Sequence, residues 1–319
     1  MKATAQRQQQ NRFSRKPRQK GGVARACKLT PRDLEQILPL LAHYRYLSTD
    51  YIHAFVGGDR QSLVKHLGLL FANGKYLERP EQQLKNANAY YRDVIHALSP
   101  TGAEALTDRG IHVPPLHHYK HFEHKVLECM FEASIELGTR ERPSVSRIGW
   151  PAILASDNFP ADRRKIDDPI TIELSEGKKL RPDGTPFVLA YDNEAFRFCV
   201  YEADCDTESG DSFYENSLRS KIDNYLTVID QKLYRSHYGA NTFIVLFVTI
   251  KERRAEEALR LIEKIIETKG YPREYAKRIG ITHTPIFSSL ERPVPASGFM
   301  LTQGWKRACG FPDLFLDKP

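Results

Sequence analysis

An α+β (or α/β) chain in two parts follows from three observations. Apolar residues recur at helical spacing through the first part of the chain. After about residue 170 they gather into short β-branched and aromatic runs separated by polar turns. The two regimes are divided at Pro114-Pro115. Helical stretches also alternate with the later strands, which predicts a mixed sheet with helices packed against it. The 319 residues are enough for two domains with sizeable cores.

The charge is unevenly placed. The chain carries a net +7, yet the first 28 residues hold nine Lys or Arg and no acid, and removing those nine leaves the remainder at −2. Residues 1–28 also contain Gln8-Gln9-Gln10 and Gly21-Gly22 and little that is apolar, so a basic arm, disordered by itself, is expected. Arg12, Arg15, Lys16, Arg18 and Lys20 are its candidates for contact with a phosphate backbone, where each neutralised phosphate releases counterions. A solubilising tail is the plainer alternative. Five dispersed cysteines without a CxxC pair point to reduced thiols in a cytoplasm, and away from a disulfide framework or a zinc ribbon. There is no apolar run of membrane-spanning length and no apolar signal core, so no membrane partner is expected.

Residues 29–112 read as the first domain. Thr30-Pro31-Arg32-Asp33 is a helix entry, followed by Leu34, Ile37, Leu38 and Leu41 at helical spacing, with Pro39 as a kink point. Ser48 caps a second helix that stops at Gly57-Gly58, and Asp59 caps a third that stops at Asn73-Gly74. Tyr90 to Leu98 reads as a strand, and Ser99-Pro100 leads into a helix from Ala103 to Arg109. Three helices followed by a two-stranded wing resemble a winged helix-turn-helix. In that reading the third helix offers Arg60, Gln61, Lys65 and His66 to the major groove of double-stranded DNA. A winged helix used for protein pairing is the alternative.

Residues 113–319 read as the second domain. His117, His118, His121 and His124 stand at the start of a helix predicted to end at Gly138, and read as surface histidines because no matching ligand spacing accompanies them. Arg140 to Asp168 reads as connection with short elements. Ile170 to Leu174, Thr185 to Tyr191 and Phe196 to Tyr201 are predicted strands, the last two joined as a hairpin by Asp192-Asn193-Glu194. A long helix is expected from Ser212 to about Arg235, a buried strand over Thr242 to Ile250, and an amphipathic helix from Arg254 to Lys269. Ile281 to Phe287 and Phe299 to Leu301 are expected as further short strands.

The hairpin organises the chemistry. Asp183 opens its first strand. Glu202 and Asp204 close the second, two apart and so on one face. The start of one hairpin strand lies beside the end of the other, so all three carboxylates are expected at one end of the sheet. Gathered carboxylates repel unless a proton or cation joins them, and oxygen ligands suit Mg2+ or Mn2+.

Pro182-Asp183, the hairpin, then Glu202-Ala203-Asp204 and a helix bearing Lys221 and Tyr225 resemble the PD-(D/E)xK nuclease superfamily. Joined to an N-terminal winged helix, the order from about residue 29 to 250 is similar to the replication-relaxation family, which includes plasmid mobilisation nucleases. The resemblance implies a PD-(D/E)xK-like mixed sheet flanked by helices. It further implies a cytoplasmic metal-dependent endonuclease nicking at a plasmid or mobile-element origin. Asp183, Glu202 and Asp204 would be the metal ligands, and Lys221 would orient the attacking water. The superfamily's Lys two residues after the acid is Asp204 here, so Lys221 would act from the following helix; Arg219 is a poorer substitute, and Glu128 is a further candidate. Other mobilisation or replication proteins and a homodimer are the partners that fit. The competing function is a non-catalytic DNA-binding accessory factor or regulator with a degenerate nuclease core, or a protein-interaction platform. Covalent tyrosine chemistry through Tyr214 or Tyr225 ranks below both, because no metal-binding histidine pair accompanies them.

Overall fold

The computed structural model describes residues 12–13, 15–16, 19–20, 23–24, 26–85, 91–116, 121–205, 217–286, 289 and 291–319. The chain is of mixed α+β build and divides into two compact units, one of residues 1–133 with 286–297 and the other of residues 134–285 with 298–319. The division falls inside a helix rather than at Pro114-Pro115. The early residues of that helix serve the first unit: Cys129 Sγ donates to Tyr44 O, and the Phe122 ring meets Tyr46 edge-on at 5.0 Å.

In the first unit Asp33–Ile37 and Leu38–Tyr44 run on as one helix, α1. Its entry is a reciprocal cap: Asp33 Oδ2 accepts from the Thr30 hydroxyl at 2.7 Å and from its N–H at 2.8 Å. Pro39 does not break α1. The turn before it is wound wide, with Leu38 N–H bonding to Asp33 O, which accommodates the ring and the missing N–H. Strand β1 (Leu47–Ser48) leads into α2 (Thr49–Val56), capped by Ser48, and α3 (Arg60–Ala72), capped by Asp59. β2 (Leu77–Glu78) and β3 (Ile95–Leu98) complete an antiparallel sheet of order β1-β3-β2, and α4 (Pro100–Thr107) follows. Leu41, Ile52, Leu67, Leu70, Leu77 and Leu106 form the buried centre. Two arm residues rest on this body: the Arg12 guanidinium donates to Arg92 O, and that of Arg15 lies 4.8 Å from the Phe71 ring. Arg18 and the side chain of Lys20 lie outside the described residues.

The straddling helix α5 (Phe122–Glu141) continues through Gly138 instead of ending there. A Cβ at Gly138 would come within 2.6 Å of Leu301 Cβ, so this glycine permits close packing rather than a stop. The second unit is built on a five-stranded sheet. Its strands are β4 (Val145–Ile148), β7 (Phe187–Tyr191), β8 (Phe196–Asp204), β9 (Ile244–Thr249) and β10 (Ile279–His283). They lie side by side in the order β4-β7-β8-β9-β10. β7 is antiparallel to both of its neighbours, β4 and β8; β8, β9 and β10 are parallel. β4 comes from the stretch that carried no readable pattern, and α6 (Trp150–Ala155) follows it. The predicted strand at Ile170 to Leu174 shortens to β5 (Ile172–Glu173), which pairs with β6 (Lys179–Leu180) in a separate ribbon.

The expected helix from Ser212 is α7 (Leu218–Asp230), capped by Ser217, then α8 (Leu233–Tyr238). Lys232 in the left-handed conformation (φ 53°) separates them, and residues 206–216 lie outside the described residues. The amphipathic helix α9 (Glu252–Lys269) lays Leu261, Ile262, Ile265 and Ile266 into the same core as Val200, Ile222, Tyr225 and Phe247. Phe299–Thr302 is helical (α10) rather than a strand; Met300 N–H donates to the Ser134 hydroxyl at 3.0 Å, and Met300 and Leu301 are buried. β11 (Gly304–Trp305) and β12 (Leu314–Phe315) pair at the end of the chain.

Candidate active site

β8 runs on past its hairpin partner, from Val200 to Asp204. It pairs with β7 from Phe196 to Cys199, and its last residues, Val200 to Asp204, pair with β9 instead. The chain ahead of β7 runs past this exposed flank. Asp183 Oδ2 accepts the Ala203 N–H at 2.9 Å, which ties the first acid to the strand that carries the second. Gly184 makes the approach feasible: a Cβ there would stand 1.9 Å from the Tyr201 ring.

Glu202 is 1% exposed and points toward α7. Its Oε1 accepts a short hydrogen bond from the Tyr225 hydroxyl. Its Oε2 faces Lys221 Nζ at 3.1 Å, yet has no hydrogen-bond partner among the described residues. Lys221 Nζ is also 3.6 Å from Asp183 Oδ2. Lys221 and Tyr225 are four apart on α7 and so share one helix face. Burial, and then the neighbouring Asp183 carboxylate, push Glu202 up to about 8, despite the opposing pull of Lys221. The Tyr225 hydroxyl is held well above its ordinary value by burial and by Glu202.

Asp204 does not join this group. It shares the Glu202 face, but Arg254 of α9 donates to its Oδ2 at 2.6 Å, with both side chains almost fully buried. Arg254 is held in turn by Glu257 at 2.9 Å. The expected convergence of three acids is therefore two acids and a lysine, with the third acid satisfied by an arginine. The strand periodicity placed Glu202 and Asp204 on one face; it carried no information about which helix each would meet. Among the described residues no three His, Cys, Asp or Glu gather as a metal-holding set. Asp183 and Glu202 could offer oxygen to a cation, through Glu202 Oε2 beside Lys221 and through Asp183 Oδ2. Tyr225 as the anchor of Glu202 was not expected; its i+4 spacing from Lys221 is the signal that could have found it.

Glu128 is engaged elsewhere, by Lys125 at 2.7 Å and His124 at 3.2 Å. His117, His118 and Tyr214 lie outside the described residues. On α3, Gln61 and Lys65 face solvent. Arg60 instead pairs with Asp50 and Asp93, each at 2.7 Å, and His66 Nε2 meets the buried Asp33 carboxylate at 2.6 Å. The helix is less cationic toward solvent than its sequence reads, because two of its basic groups are matched by acids of its own unit. Lys16 of the arm is exposed. Among the described residues no helix is long and apolar enough to cross a membrane. No family model, curated protein or solved structure matches this chain.

Proposed function

We propose that the chain is a divalent-metal-dependent DNA endonuclease, a nickase of plasmid or mobile-element origins of the replication-relaxation type. In this reading the second unit is the PD-(D/E)xK-like core and the first a winged helix. One observation carries it: Asp183, from the chain ahead of β7, and the buried Glu202 of β8 both lie within 3.6 Å of Lys221 Nζ. Two antiparallel strand pairs continued by two parallel ones support the nuclease-core assignment, as the β1-β3-β2 sheet behind three helices supports the winged helix.

The two carboxylates fit Mg2+ or Mn2+, which are held by one or two carboxylates together with water and substrate phosphate. When bound, such an ion lowers the pKa of water and offsets charge on the phosphodiester. The protein's own groups do the rest. Tyr225 fixes Glu202 through Oε1 and turns Oε2 toward Lys221. Glu202, raised to about 8, would hold a cation as the carboxylate, with its proton lost. Lys221 supplies fixed positive charge beside the scissile linkage, where charge accumulates in the transition state. Asp204, joined to Arg254, locks β8 to α9 and takes no part.

The test is nicking of supercoiled DNA carrying candidate origins with Mg2+ or Mn2+, read on gels, beside binding by calorimetry. Asp183→Asn and Lys221→Ala are each expected to lower the rate by ~10²-fold or more while DNA affinity stays. Undiminished nicking by Asp183→Asn refutes the assignment. The second reading, a non-catalytic DNA-binding accessory factor, is favoured by the contact of Lys221 with both acids, which leaves the cluster partly neutralised without an ion. DNA binding with no uptake of either ion by the full-length protein would select it.

A further inference from the structure

The first unit contains a cavity of about 830 Å³ that the nuclease reading does not use. Its size suits a nucleotide-sized ligand. Its walls carry Arg15, Arg45, Arg79 and Lys85 beside Phe13 and Tyr46, against two carboxylates, Glu78 and Glu81. Arg15 lies 3.7 Å from Glu78, and Arg79 lies 4.5 Å from the Phe71 ring, so two of these cations are pre-positioned by their surroundings.

Arg45 is the telling residue. Tyr46 N–H bonds to Tyr44 O at 2.9 Å, which makes Arg45 the centre of a three-residue turn with φ 73° and ψ −54°. This is the rare, strained hand of the γ-turn, and an L side chain there costs free energy that a glycine would not. Strain of this kind persists where the surrounding structure uses it. Here the turn ends α1 and sets the Arg45 side chain on the cavity wall. Among the described residues its guanidinium has one hydrogen-bond partner, Pro114 O at 3.1 Å. The other donors of the fork remain for an anion.

We propose that this cavity binds the 5′-phosphate and sugar–base body of a nucleotide, with Arg45 as the phosphate anchor and Arg79 and Lys85 beside it. The four-to-two excess of cations selects an anion, and the apolar share of the wall selects one with an organic body over inorganic phosphate. The nucleotide comes either free or as the 5′-phosphorylated end of a single strand; both present the same group.

Calorimetry on the full-length chain tests this with deoxynucleoside 5′-monophosphates, the matching nucleosides, inorganic phosphate, and short single strands with and without a 5′-phosphate. The monophosphate is expected to bind at least tenfold more tightly than either fragment. Preference for the phosphorylated strand over the monophosphate identifies the strand end as the source; the reverse identifies the free nucleotide. Arg45→Gly is expected to lose at least tenfold in affinity while its thermal midpoint holds or rises, because glycine relieves the strained turn. Arg45→Ala, which keeps the strain and removes the fork, should lose the same affinity and be less stable than Arg45→Gly. Equal binding by wild type and Arg45→Gly, no binding of any probe, or no preference over inorganic phosphate each overturns the assignment.

Discussion

Glu202 and Asp204 are two residues apart on one strand, on one face, and both buried, yet they end in opposite conditions. Asp204 meets a guanidinium that stays charged, at 2.6 Å, and that guanidinium is braced by Glu257. Glu202 meets another carboxylate, a tyrosine and a lysine whose charge is shared with Asp183. The first arrangement is closed: one guanidinium holds both carboxylates. The second is left in tension, and it shows as a carboxyl pushed up to about 8. Buried groups kept far from their ordinary protonation mark functional sites more often than structural ones. Two positions on one face of one strand therefore divide into a fastener and a candidate site.

Removing Arg254 should have the largest effect. Arg254→Ala leaves Asp204 buried without its partner and is expected to cost about 3–5 kcal/mol of stability. Lys221→Ala should cost far less, because Glu202 can hold a proton instead of a charge. Urea unfolding of the full-length variants, followed by circular dichroism, checks the ordering. If Lys221→Ala destabilises as much as Arg254→Ala, the division between fastener and site fails.

The pH dependence of stability sharpens the same contrast. A carboxyl raised to about 8 in the folded protein keeps a proton that the unfolded chain releases near pH 4.5. Between those values the folded state binds more protons, so stability falls as pH rises, by at most about 1.4 kcal/mol per pH unit for one proton. The contribution is complete below pH 4.5 and gone above about 8. Glu202→Gln should flatten this slope in metal-free protein. Urea midpoints from pH 5 to 9 in the presence of a chelator make the measurement. An unchanged slope in Glu202→Gln would place the titration elsewhere.

The hairpin was legible because its signals are local: alternating strands, an Asp-Asn turn, and acids at defined ends. The helix caps at Thr30, Ser48 and Asp59 were legible for the same reason. What escaped was set by tertiary partners. β4 has too little pattern of its own and exists by pairing with β7. Phe299 to Thr302 carries an apolar run that suits strand or helix, and contact with Ser134 settles it as helix. Gly138 reads as a stop but serves a close approach. At the site, the sequence supplied Asp183, Glu202 and Lys221. It could not supply Arg254, fifty residues away from Asp204, nor say that His66 and Arg60 would be matched by Asp33, Asp50 and Asp93.

The smallest expected effect carries the comparison to the surface of α3, where Arg60 is held by acids and Lys65 faces solvent. Arg60 is matched by two carboxylates, so its charge is already answered before any phosphate arrives, while Lys65 faces solvent. If α3 lies against duplex DNA, Lys65→Ala should weaken binding about equally for all sequences and reduce the slope of log affinity against log salt by about one. Arg60→Ala should change that slope little and cost about 0–1 kcal/mol of stability, as exposed pairs do. Titrations of labelled duplex at several salt concentrations separate the two variants. A larger slope change for Arg60 than for Lys65 would mean that Arg60 abandons its acids for the phosphate backbone, and that the closed arrangement on α3 opens when DNA binds.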